Sequence, residues 1–284
     1  PATLEAARAV AVATLRIFRD EGDRSDRQKA RLMWIIEKYG PEAFREKLLK
    51  EPALEGVNVQ REQPEPEGPY ERRELLGVHK QPDGAFRVGV HVPTGRLSPE
   101  EARQIATLAD KYSGGEIRLT VEQNFMLVNV AEAMLPELLA EPALTKGRFS
   151  VEPGHIVGHT VACTGAKYCG LALIETKLPA EGVAEKLDKL ISTPRPLRIH
   201  WTGCPNSCAQ VQVADIGLMG APAKKMIDGK AKAVPGVNIF VGGTIGENAF
   251  LALEPYKKGV PMADDDILPV LVEIAKEKFG AVDK

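Results

Sequence analysis

Aromatic side chains make up only 5% of this chain, and neither sign of charge is in surplus: 37 Lys and Arg stand against 39 Asp and Glu, a formal net charge of −2. Nucleic acid is held by basic surfaces and by aromatic platforms for stacked bases, and the composition supplies neither. Long apolar runs are missing too. A membrane-spanning helix needs roughly 18 such residues, and no stretch approaches that. The apolar N-terminal run from Leu4 to Phe18 is interrupted by Glu5, Arg8 and Arg16, so it does not read as a secretory leader. No nucleic acid and no membrane are therefore expected as partners, and a cytoplasmic location is expected. The chain opens on Pro1 rather than Met, which suggests processing or a piece of a longer protein.

What is present suffices for a folded core: 44% of the 284 residues are hydrophobic and 27% charged. Residues 2–21 form an Ala-rich helical pattern ended by Gly22. A second helix is expected in the stretch beginning at Ser25, with Ser25 or Asp26 as its cap and Leu32, Ile35, Ile36 and Tyr39 on one face. Pro41 opens a third. The polar, proline-rich stretch from 56 to 70 reads as a linker. Next comes a β–α–β–β pattern. It holds a strand from Phe86 to Val92 and a helix capped by Ser98 with Pro99 and Glu101 in a capping box. Two further strands and a short helix limited by Pro136 complete it. Beyond Phe149 short strands alternate with helices at 179–191, about 248–257 and 264–279. The expected organisation is 1–55 helical, 56–70 linker, 71–148 an α+β unit, and 149–284 a second α+β domain.

Cysteine is scarce, four in the whole chain, and all four fall in that last domain. Cys163 and Cys169 lie in ACTGAKYCGLALIETK, and Cys204 and Cys208 in HWTGCPNSCAQVQVADIGLMG. Structural disulfides do not suit a chain with no secretion signal. Zinc suits the narrower pair, but the C-x5-C spacing is wide for a zinc knuckle. An iron–sulfur cube takes four thiolates at the corners of a larger object, so wider spacings are natural. Gly165, Gly170 and Gly203 would let backbone amides approach the sulfurs. The spacing alone leaves the zinc and iron readings both open.

These two motifs closely resemble the cluster motifs of ferredoxin-dependent assimilatory nitrite reductases, whose relatives are the sulfite reductase hemoproteins. SDRQKARLMWIIEKYG, ERRELLGVHKQPDG, GEIRLTVEQNFMLVNV and ISTPRPLRIHW look like the same family, so the likeness covers nearly the whole chain. It implies an α+β fold: a ferredoxin-like nitrite/sulfite reductase half-repeat at 71–148, followed by a 4Fe-4S and siroheme-binding domain at 149–284. It implies that Cys163, Cys169, Cys204 and Cys208 hold a 4Fe-4S cluster, and that the Cys208 thiolate is shared with siroheme iron, where substrate is reduced. Thr164, Asn206, Gln123 and Asn124 become candidate cofactor contacts, the TVEQN stretch that holds Gln123 and Asn124 reading equally as structural packing. Arg96 and Arg118 become candidate partners of siroheme carboxylates. The implied reaction is the reduction of nitrite to ammonia with six electrons and eight protons, the electrons coming singly from reduced ferredoxin. QVQVADIG after the last cysteine and IETK after the first pair favour nitrite over sulfite. The alternatives are an assimilatory sulfite reductase hemoprotein, or a non-catalytic iron–sulfur or zinc-stabilised scaffold.

Whole members of that family are about twice this length, two pseudo-symmetric halves around siroheme. This chain resembles the second half and the helices leading into it. The residues that bind the anionic substrate belong to the missing N-terminal half, so the chain by itself is expected to hold siroheme weakly and turn over little. The family occupies bacterial cytosol, or plastid stroma in plants and algae.

Other residues carry weaker signals. Arg24, Arg27, Lys29 and Arg31 read as a solvated helix face or as contacts for siroheme carboxylates or an acidic partner. Lys224, Lys225, Lys230, Lys232, Lys257 and Lys258 read as solvated loops or as docking sites for acidic ferredoxin. His200 and Trp201 read as core groups of a strand. The VGGTIGEN stretch lacks the context of a phosphate loop and reads as a turn.

Overall fold

The computed structural model describes residues 3–26, 29–59, 74–246 and 248–284. They form two compact units, Pro1–Pro69 and Tyr70–Lys284. Most of the expected linker, 60–70, lies outside the described residues, as does Arg27.

The first unit holds three helices: α1 (Leu4–Glu21), α2 (Leu32–Tyr39) and α3 (Pro41–Leu49). Thr3 caps α1, its hydroxyl accepting from the Ala6 amide at 3.1 Å. Ile17, Ile35 and Phe44 are buried together, with Leu32, Ile36 and Tyr39 packed around them. The second helix is shorter than its pattern suggests. Ser25 and Asp26 do not cap it; Asp23 Oδ1 draws in the Ser25 amide at 2.7 Å and its hydroxyl at 2.6 Å, so the chain turns there first. The Arg24 guanidinium lies 4.7 Å over the Phe18 ring and binds the Phe18 carbonyl at 3.2 Å.

The second unit carries two main sheets. In the first, β1 (Gly77–Lys80), β2 (Phe86–Val90), β3 (Ile117–Leu119) and β4 (Phe125–Val130) run in the order β1-β2-β4-β3, each pair antiparallel. Helix α4 (Pro99–Tyr112) joins β2 to β3 and covers one face. Val88, Val90, Ile105, Leu108, Phe125 and Leu127 fill the space between. The capping box forms as the sequence indicates: Glu101 Oε2 accepts from the Ser98 amide at 2.8 Å, and Ser98 Oγ from the Glu101 amide at 3.1 Å. Strand β1 is the element that the hydrophobic pattern did not reveal; the Pro82–Asp83–Gly84 turn behind it was its signature. Short helices α5 (Leu135–Leu139) and α6 (Pro142–Thr145) follow.

The second sheet is mixed, in the order β10-β9-β8-β7-β5. Strands β5 (Thr160–Ala162), β7 (Ile199–Thr202) and β8 (Ile216–Ile227) run parallel, while β9 (Lys230–Val241) and β10 (Lys257–Pro261) are antiparallel to their neighbours. A two-residue strand β6 (Ile191–Ser192), after α7 (Lys177–Leu190), pairs with β11 (Val282–Asp283), after α8 (Asp264–Phe279). Trp201, Ile199, Ile216, Leu218, Val183, Leu187, Leu271 and Ile274 form the principal core.

Two expectations are corrected here. No helix forms at 248–257: Pro255 interrupts it, and the segment is a strap, the Ala252 amide donating to the Gln212 carbonyl at 2.9 Å. Buried Ala252 joins Val211, Met219 and Phe240. The basic stretch around Lys225 is the tip of a long hairpin rather than a loop. Asp228 and Gly229 form its turn with φ of 53° and 72°, the conformation that a two-residue hairpin turn requires.

Candidate metal centre

Strands β5 and β7 are each buried along their whole length, as parallel strands inside an α/β layer must be. They pair in register, Thr160 with Ile199 and Ala162 with Trp201, and so end at the same edge of the sheet. Cys163 follows β5 directly, and Cys204 follows β7 after one glycine. Such carboxyl ends of parallel strands are where ligands collect. The Cys163 amide donates to the Trp201 carbonyl at 2.9 Å, and the Leu173 amide to the Gly203 carbonyl at 2.7 Å. The first cysteine loop therefore folds back over the start of the second.

Each loop is tied to itself. In the first, the Cys169 amide donates to the Gly165 carbonyl at 3.0 Å, and the Ala166 amide to the Ile174 carbonyl at 3.1 Å. Gly165 has φ +76°, and a Cβ there would lie 2.8 Å from the Thr176 amide. Fully buried Thr176 donates its hydroxyl to the Cys163 carbonyl at 2.7 Å and stands 3.8 Å from Cys163 Sγ. In the second, the Ser207 amide donates to the Cys204 carbonyl at 3.2 Å, and Ser207 Oγ lies 2.6 Å from Gln212 Oε1. His200 Nδ1 lies 2.7 Å from the Ala209 carbonyl, which makes it the protonated nitrogen. Burial pushes the His200 pKa down to about 4, so the ring is neutral near pH 7.

The thiols form a gradient of exposure, and all four are free: Cys204 is buried, Cys163 and Cys169 are half-buried, and Cys208 is exposed. The Gly203 amide donates to Cys163 Sγ at 3.2 Å. A Cβ on Gly203 would meet Ala172 Cβ at 2.7 Å, so only glycine lets this amide come so close. Directly before the turn, His200 Nε2, Trp201 Nε1 and Thr202 Oγ1 are buried with no hydrogen-bond partner. Native folds rarely tolerate such groups away from functional sites.

The other residues singled out by sequence are distributed unevenly. Thr164 and Asn206 are exposed beside Cys163 and within the second turn. Gln123 spends its amide on the strand end, donating to the Ala162 carbonyl at 2.8 Å and accepting from the Ala162 amide at 3.2 Å. Asn124 is buried, and its Oδ1 accepts from the Val92 amide at 2.9 Å. Both act as positioning groups. Arg118 pairs with Glu116 at 2.7 Å on an exposed strand. Arg96 and Lys167 line a cavity of about 510 Å3 with Arg148, Glu101 and Glu181, next to the first cysteine loop. Sequence reasoning missed Lys177, whose Nζ donates to the Ala162 carbonyl at 3.0 Å; the IETK string that holds it was its signal. The docking set also changes, because Lys225 is engaged by Asp266 and Lys232 by Asp228 at 3.4 Å.

The description "Nitrite and sulphite reductase 4Fe-4S domain" matches residues 2–55 and 154–276, well over half of the chain. The chain belongs to that family. A second description, "Nitrite/Sulfite reductase ferredoxin-like half domain", matches residues 79–144, which contain β2, α4, β3 and β4. Among members, the chloroplastic ferredoxin–nitrite reductase of Zea mays is 47% identical over 276 residues, 96% of this chain and 47% of the relative. The ferredoxin–nitrite reductase of Synechococcus elongatus is 49% identical over 270 residues, 95% of this chain and 50% of the relative. The solved NirA protein of Mycobacterium tuberculosis superposes with a TM-score of 0.79 at 29% identity, covering 95% of this chain and 49% of that one. The chain thus spans about half the length of the relatives it matches.

The 4Fe-4S group of this nitrite and sulphite reductase domain fits the residues at the sheet edge. Four free thiols on two adjacent loops supply the donor set, and a glycine amide already points at one sulfur. No described helix is long and apolar enough to cross a membrane.

Proposed function

We propose that this chain is the cofactor-bearing half of an assimilatory nitrite reductase, reducing nitrite to ammonia with electrons from reduced ferredoxin. The observation that carries the reading is the meeting of two cysteine loops at the common end of β5 and β7. When bound, a 4Fe-4S cluster and siroheme would supply electron storage and a substrate-bearing iron. Cys163, Cys169 and Cys204 would hold the cluster, and exposed Cys208 would offer its sulfur to both groups. The chain's own residues hold this arrangement. Gly203 and Thr176 surround Cys163, Gln123 fixes Ala162 in front of it, and His200 fixes the carbonyl of Ala209 behind Cys208. Arg96 and Lys167 bring positive charge to the same edge, where siroheme carboxylates or the anionic substrate need it. The remaining cations would come from an N-terminal half, consistent with relatives about twice as long.

The test is turnover. Protein loaded anaerobically with iron, sulfide and siroheme is combined with the N-terminal half of a relative, and ammonia is measured with nitrite or sulfite as acceptor. Ammonia from nitrite only in the combined sample is the expected result. Sulfide from sulfite at a higher rate would move the reading to the sulfite branch. Full nitrite turnover by this chain alone would contradict the need for a second half.

A further inference from the structure

Lys177 occupies an unfavourable place for a cation. It is the first residue of α7, where the helix dipole already concentrates positive charge. The first turn of that helix has no acidic residue and no side-chain cap to offset it. The residue is half-buried, and burial lowers its pKa, as does the charge of Arg96 nearby. Opposing them are the charges of Cys163 and Glu175. Two backbone carbonyls gather the ammonium: that of Thr94 at 2.5 Å and that of Ala162 at 3.0 Å. Thr94 is itself held at φ +45°, buried in the Pro93–Gly95 turn, a conformation that a β-branched residue adopts only under constraint from its surroundings. The fold thus holds a charge against a helix N-terminus, beside another cation, next to a thiol that the site needs as thiolate.

We infer that Lys177 is a positioning and charge-setting residue of the iron–sulfur site. Its ammonium ties the Ala162–Cys163 strand end to the Pro93–Gly95 turn and keeps a positive charge beside the Cys163 thiolate. A thiolate-ligated cluster is an anion that becomes more negative when it accepts an electron. A fixed cation in half-buried surroundings, where screening is weak, stabilises that reduced state. Lys177 therefore raises the potential at which the cluster accepts an electron. The inference rests on the cluster reading above.

The experiment compares wild type, Lys177→Gln and Lys177→Arg, each purified anaerobically, with folding checked by circular dichroism and iron and sulfide measured chemically. The midpoint potential is then read by an EPR-monitored redox titration. Lys177→Gln is expected to load like wild type with a more negative potential, and Lys177→Arg to restore it. A loaded Lys177→Gln protein with the wild-type potential would overturn the inference. A folded one that holds no cluster would also overturn it, by making Lys177 a binding tether alone. Should the Gln variant misfold, Lys177→Met keeps the packing of the stem without the charge, and the same two outcomes apply. Absence of iron and sulfide from wild type as well would defeat the cluster reading itself, a result distinct from either.

Discussion

At the turn that leads into β4, polar side chains are spent inside the fold: Asn124 Oδ1 on the Val92 amide, Thr120 Oγ1 on the Asn124 amide and both ends of the Gln123 amide on Ala162. At the ends of β5 and β7, by contrast, four thiols stand free and His200 Nε2, Trp201 Nε1 and Thr202 Oγ1 lie buried with no partner. Both regions belong to one compact unit, one built on antiparallel strands and the other on parallel ones. The turn into β4 spends its polar groups on the fold, although Thr94 Oγ1 beyond β2 is buried without a partner, whereas the parallel edge gathers three such groups in a row. Places where a fold leaves such conflicts unresolved are where function is expected. On this view the TVEQN turn is scaffold and the cysteine edge is chemistry.

Substitution tests the contrast most sharply at the buried ligand. Cys204→Ser is expected to leave the fold intact and to abolish metal loading, iron and sulfide both falling to background by chemical assay. Gly203→Ala comes next, because its Cβ would meet Ala172 at 2.7 Å. Overpacking of this kind costs about 1–3 kcal/mol, and the displaced amide should also reduce iron content. Gly229→Ala at the hairpin tip is the control: its φ of +72° costs about 1–2 kcal/mol in urea unfolding, with open space around it and iron content unchanged. On the scaffold side, Gln123→Leu strips two partners from the Ala162 backbone. A loss of about 1–3 kcal/mol in stability, read by urea unfolding, is expected.

Acid should weaken the junction between the two sheets. Burial holds the His91 pKa down at about 4, against 6.5 in the unfolded chain. The folded state binds fewer protons, so this stability is complete above pH 6.5 and is lost as pH falls toward 4. Burial alone would raise the Glu74 pKa, but its contact with His159 Nε2 at 3.0 Å and the amides of Leu76 and Leu75 hold it at about 2. That contribution is present above pH 4.5 and fades as pH falls toward 2. Urea midpoints measured from pH 7 to pH 4 should decline, and His91→Gln should flatten the decline. The smallest effect is expected at the hairpin. Lys224→Glu with Lys230→Glu should weaken binding of an acidic electron donor several-fold at low salt and hardly at all at high salt. Lys225 is a poor probe because Asp266 holds it.

Much of this was readable in the sequence because the cues were local. The Ser98–Glu101 capping box, the Gly40–Pro41 break between helices and the two cysteine motifs each depend on residues a few positions apart. What escaped depended on distant partners. Nothing near Gln123 in sequence says that its amide binds Ala162, 39 residues on, and nothing near Lys177 points to the Thr94 carbonyl 83 residues earlier. The expected helix at 248–257 failed for a related reason. Of its apolar residues only Ala252 is buried, in a strap against Val211 and Phe240, while Phe250, Leu251, Leu253 and Tyr256 are exposed, so no helical face forms there. Ser25 and Asp26 do not serve as caps because Asp23 draws in their own amides and the Ser25 hydroxyl, turning the chain before the helix begins.

The iron and acid-labile sulfide content of anaerobically purified protein tests the central claim most directly. About four of each per chain, as a cubane requires, is the result that the meeting of the Cys163–Cys169 and Cys204–Cys208 loops predicts. One zinc per chain without iron, or iron that persists when these cysteines are replaced by serine, would contradict it.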